Sequence, residues 1–85
     1  MSLRQELGNI LTLIADLSHN STNTSVFDTA VIQRSGLPAE EVYNYLNELD
    51  SLELIKLQIR VRGADVRLLN ITKEGLTQLS DQDLR

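Results

Sequence analysis

Residues 36–55 read GLPAEEVYNYLNELDSLELI, and residues 56–75 continue KLQIRVRGADVRLLNITKEG. The periodicity changes twice along these forty residues. Val42, Tyr45, Leu46, Leu49 and Leu52 recur at helical spacing, which predicts a helix over 39–52 with this stripe buried. Its other side carries Tyr43, Asn44, Asn47, Glu48 and Ser51. From Leu54 the period drops to two. Ile55, Leu57, Ile59 and Val61 point one way, and Lys56, Gln58, Arg60 and Arg62 the other. Gly63-Ala64-Asp65 supplies a turn, Val66 to Ile71 a return strand, and Thr72 a cap for a last helix holding Leu76 and Leu79. The hairpin therefore occupies 54–71 and the last helix 73–80.

Upstream, Gly36 stands where a helix ends on a left-handed residue, and Pro38 where the next begins without needing its N–H. Asp28 is placed to cap a short helix over 29–35 that turns Val31 and Ile32 inward. Before it, HNSTNTS (19–25) stops a first helix over 2–18, and Thr24 to Phe27 offers a short third strand. In the first helix Leu3, Leu7, Ile10, Ile14 and Leu17 make an apolar stripe opposite Arg4, Glu6, Asn9, Thr12 and Asp16. The stripe has two readings. It packs the core, or part of it (Leu3, Leu7, Ile10, Ile14) pairs with a second subunit.

Composition narrows the class. Eighty-five residues with 41% apolar content fit one small domain spanning 1–85. There is no cysteine and one histidine, so neither a disulfide framework nor a usual zinc site is expected, and no cofactor is called for. No apolar run nears the ~20 residues that span a bilayer, and no secretion signal precedes the first helix, so the expected setting is cytoplasmic. Catalysis is not expected either. His19 lies alone in a polar stretch, Glu40 and Glu41 are adjacent rather than facing, and the four glycines are scattered. The fold class expected is α+β, mainly α, with three helices, a hairpin and a C-terminal helix.

That order of elements resembles the winged helix-turn-helix superfamily, and within it the multiple-antibiotic-resistance type and related small archaeal and bacterial regulators. The resemblance rests on Gly36-Leu37, Val42, Leu49, Leu54-Ile55 and the corner Ile71-Thr72-Lys73-Glu74-Gly75, with no gap from 36 to 55. It covers about 80 of the 85 residues. The chain departs from the pattern twice: Ser35 replaces an apolar residue, and Leu52-Glu53 replaces a polar-glycine turn. The resemblance implies a transcriptional regulator that binds duplex DNA as a homodimer. Its second helix of the turn motif enters the major groove and its wing holds the backbone. The implied groove-facing positions are Ala39, Glu40, Glu41, Tyr43, Asn44, Asn47 and Glu48.

Charge divides this expectation. The net charge is −4, whereas dedicated non-specific nucleic-acid binders are usually basic. Residues 39–53 hold Glu40, Glu41, Glu48, Asp50 and Glu53 without one base, where the family usually offers Ser, Thr, Lys or Arg. Residues 54–69 hold Lys56, Arg60, Arg62 and Arg67 against Asp65 alone. In the DNA reading, Arg60, Arg62 and Arg67 take phosphates, and Tyr43, Asn44 and Asn47 approach bases. In the alternative reading the module recognises protein, and Glu40, Glu41, Glu48 and Tyr43 meet a basic partner.

Overall fold

The structure is a computed structural model that describes residues 5–58 and 67–83, with side chains described through residue 80. Leu3 and the expected hairpin tip around Gly63, with Arg60 and Arg62, lie outside the described residues. The elements in order are α1 (Gln5–Leu17), β1 (Val26–Phe27), α2 (Asp28–Ser35), α3 (Ala39–Ser51), β2 (Ile55–Leu57), β3 (Leu68–Ile71) and α4 (Lys73–Asp83). This is the mainly helical winged helix-turn-helix class expected, with a third strand added to the hairpin.

β3 is the middle strand. It pairs antiparallel with β1, matching Val26 to Leu69 and Phe27 to Leu68. It also pairs antiparallel with β2, matching Ile55 to Ile71 and Leu57 to Leu69. The Gln58 N–H donates to the Leu68 carbonyl at 2.8 Å, carrying the ladder one residue beyond β2. Alternation then sends Val26, Ile55, Leu69 and Ile71 into the core. On the outer face, Gln58 Nε2 and the Ser25 hydroxyl both donate to Asn70 Oδ1, while Asn70 Nδ2 donates to the Thr22 carbonyl. One asparagine thereby ties the loop after α1 to both outer strands.

The core is built where the helical stripes meet this sheet. Leu7, Ile10, Leu11 and Ile14 of α1, Val31 of α2, and Val42, Leu46 and Leu49 of α3 are all buried. This corrects one expectation. Leu7 and Ile10 are 3% exposed and Ile14 is 0% exposed within a single chain, so they have no free area to give a second subunit. A stripe on one helix does not say which neighbour will cover it, and here α2, α3, β3 and α4 all contact α1. Two further residues on the α3 stripe differ from expectation. Leu52 is 37% exposed because α3 stops at Ser51, and Leu54 turns in instead. Tyr45 is half-buried, and its hydroxyl donates to Glu41 Oε1.

Helix ends follow local chemistry. α1 closes on two left-handed residues, His19 and Asn20, with the Asn20 N–H donating to the Ala15 carbonyl and the His19 N–H to that of Asp16. Gly36 has φ +71° and its N–H donates to the Ile32 carbonyl. Ser35, the departure from the family pattern, uses its hydroxyl locally. It donates to the Ile32 carbonyl and accepts the Leu37 N–H. Pro38 is the residue before the helix rather than its first, and its carbonyl accepts the Val42 N–H. α2 begins at Asp28 itself, one residue earlier than expected.

The corner at 71–75 is the tightest joint. The Thr72 N–H donates to the Leu54 carbonyl at 3.0 Å. Its hydroxyl donates to the Glu53 carbonyl at 2.7 Å and accepts the Gly75 N–H at 3.0 Å, capping α4. A Cβ at position 75 would overlap the Leu54 carbonyl oxygen and press on Ile71. Gly75→Ala is therefore expected to cost about 2 kcal/mol or more in urea unfolding, and an unchanged midpoint would refute the close approach. The neighbouring turn holds the opposite opportunity. Glu53 has φ +63°, a conformation that carries a penalty for any residue with a Cβ. Glu53→Gly should raise stability by about 1 kcal/mol, read as a higher melting temperature.

Candidate nucleic-acid interface

The exposed side of α3 is a ridge. Glu40, Asn44, Asn47 and Ser51 are exposed and follow one another at spacings of four, three and four, so they lie along one line of the helix. Val42, Leu46 and Leu49, on the opposite line, are fully buried. The two flanks of the ridge differ. On one flank are Glu41 and Glu48, both exposed. On the other are Tyr43, half-buried and packed against the core, and two turns on the exposed Asp50, whose Oδ1 accepts the Leu57 N–H.

Tyr43 is the link between the ridge and the wing. Its hydroxyl donates to Asp28 Oδ2 at 2.7 Å. The Arg67 guanidinium carbon stands 5.6 Å from the centre of its ring, within reach of a cation–π attraction. Asp28 is wholly buried. Its other carboxylate oxygen accepts the Thr29 N–H at 2.7 Å, and its own N–H donates to the Arg67 carbonyl at 3.0 Å. A buried carboxylate without donors would carry a heavy desolvation cost, and this one has a donor on each oxygen. It also lies in the first turn of α2, where the helix dipole favours negative charge. The result is a three-residue joint between the start of α2, the second turn of α3 and the residue that leads into β3.

The structure thus brings together Tyr43, Asn44, Asn47 and Arg67 of the six residues proposed for DNA. Arg60 and Arg62 lie outside the described residues. Sequence reasoning treated Asp28 only as a helix cap. Nothing in the spacing from 28 to 43 signals that their side chains meet, because the meeting depends on how α2 crosses α3. Among the described residues, no group of three or more His, Cys, Asp or Glu side chains is placed to hold a metal ion. No helix among them is long and apolar enough to cross a membrane.

No protein-family model matches the sequence, and no curated protein does. The fold is nonetheless shared with solved structures. BpsR of Bordetella bronchiseptica, described by the regulation of its DNA binding by 6-hydroxynicotinic acid, superposes with a TM-score of 0.80 at 12% identity. The match covers 98% of this chain and 58% of that one. MepR of S. aureus, solved as a DNA complex, gives 0.78 at 13% identity over 96% of this chain and 63% of that one. A candidate DNA-binding protein of Ralstonia eutropha gives 0.76 at 16% identity, over 95% and 98% of the two chains. This chain spans roughly three fifths of BpsR and MepR, and nearly all of the Ralstonia protein. At these identities the likeness establishes the winged helix-turn-helix architecture.

Proposed function

We propose that this chain is a winged-helix transcriptional regulator that binds duplex DNA. The observation that carries the reading is the exposed Asn44–Asn47 ridge of α3 with Arg67 held beside it over Tyr43. An asparagine amide can pair with adenine N6 and N7 in the major groove, which gives an otherwise acidic helix a neutral means of reading bases. Arg67, with Arg60 and Arg62 of the wing sequence, supplies the phosphate contacts that α3 lacks. The two sides of the ridge set the approach. Glu41 and Glu48 repel the backbone on one flank, whereas on the other an oxygen of Asp50 is engaged by the Leu57 N–H and Arg67 supplies positive charge, so we place the duplex on the wing side. DNA complexes among proteins of the same fold support this reading, as MepR illustrates.

The test is fluorescence anisotropy with labelled duplexes at low ionic strength, about 20–50 mM, where screening is weak. Arg60→Ala and Arg62→Ala should weaken binding on every sequence and flatten the salt slope by about one per lost contact. Asn44→Ala or Asn47→Ala should relax the preference between sequences instead. Failure of the intact chain to bind any duplex would sink the DNA reading. It would leave the second reading, favoured by the exposure of Glu40, Glu41 and Glu48, in which α3 docks on a basic protein partner.

We also propose a homodimer, because two copies would double the wing contacts and set a half-site spacing. Since Leu7, Ile10 and Ile14 are used within the chain, the contact must lie on other surfaces. Light scattering at tens of micromolar should give twice the 9.6 kDa chain mass, and a monomer there would remove the proposal.

A further inference from the structure

Asp28 does more than begin a helix. Within the first turn of α2 its Oδ1 accepts the Thr29 N–H. The second oxygen reaches out of α2 to the Tyr43 hydroxyl on α3. The Asp28 backbone N–H holds the Arg67 carbonyl, while the tyrosine it secures lies beneath the Arg67 guanidinium. One residue therefore fixes Arg67 twice, through its main chain and through its side chain. The backbone fixing starts from a fully buried residue, and the side-chain fixing runs through two half-buried ones.

We propose that Asp28 is a positioning residue for nucleic-acid recognition. Through the Tyr43 hydroxyl it orients the ring, and through the ring it holds the Arg67 guanidinium beside the Asn44–Asn47 ridge. The proposal rests on the duplex-DNA reading and deepens it. A free arginine loses much rotamer freedom when it grips a phosphate, and an arginine already held over a ring has less to lose. A guanidinium attracted to the ring through its charge keeps N–H donors free for a phosphate. In this arrangement Tyr43 is the support on which the backbone contact stands, and base reading falls to Asn44 and Asn47. The joint also couples wing to helix. A change at the α2 start reaches the wing without touching either DNA-facing surface.

The decisive variant is Tyr43→Phe in the full chain, which keeps the ring and removes only the hydroxyl. Asp28→Asn is its partner, used provided its NMR spectrum remains that of a folded chain. Two readouts are taken: duplex affinity across a salt series, and the side-chain proton resonances of Arg67 in the free protein, which a ring beneath them shifts. Both variants should bind duplex about tenfold more weakly and lose about one from the salt slope, and the Arg67 resonances should move toward random-coil positions. Asn47→Ala should weaken binding while leaving the slope and the Arg67 resonances in place. Wild-type binding with Tyr43→Phe unchanged in affinity, slope and resonances overturns the positioning role and leaves the DNA reading standing. If the wild-type chain binds no duplex, the DNA reading and the recognition role fall together. Arg67 resonances that ignore both substitutions would separately overturn the joint itself.

Discussion

The contact of Gly75 with the Leu54 carbonyl is the constraint from which the rest of the molecule takes its geometry. Because position 75 has no Cβ, the first turn of α4 lies directly on the backbone that leads into β2. Thr72 then completes the joint from its N–H and its hydroxyl, bonding the Leu54 and Glu53 carbonyls together with the start of α4. These bonds fix where β3 ends and tie the start of α4 to the turn after α3. They also fix the register that puts Ile55 opposite Ile71 and Leu69 in the centre of the core. A one-residue slip would turn every side chain of β3 to the wrong face.

A second joint sits at the opposite end of β3 and is chemically different. The first is built from backbone groups and one hydroxyl. The second, at Asp28, places a charge in the interior and satisfies it with donors from two helices. Buried polar groups of this kind contribute less to net stability than to fixing one arrangement among several similar ones. Here the arrangement fixed is that of α2, α3 and the entry to β3, the elements that carry the proposed DNA contacts.

The charge distribution belongs to the same picture. Net charge of −4 would argue against a phosphate-binding surface if it were spread evenly. It is not spread evenly. Glu40 lies on the ridge itself, Glu41 and Glu48 on one flank, and Asp50 on the flank of Tyr43, where Arg67 stands over the ring. Acidic charge thus surrounds the ridge, and the positive charge beside it comes from outside α3.

Much of the fold was legible because it rests on local physics. Helical periodicity marked α1 and α3, alternation marked β2, and Gly36 and Thr72 marked ends whose backbone geometry needs those residues. The fate of the apolar stripe on α1 was not legible. Periodicity gives the face that will be covered but not its cover, and only packing showed Leu7, Ile10 and Ile14 turned into the chain's own core. Leu52 fell outside its stripe because the helix ends one residue before it. Asn44 and Asn47 could be named from the sequence alone, since exposure on a helix follows from spacing. The pairing of Asp28 with Tyr43 and Arg67 was decided by tertiary structure alone. The sequence by itself determined which elements form and which faces are apolar, because those depend on neighbours within a turn or a strand. Which distant side chains meet depends on how the finished elements cross, and that is settled only when the core closes.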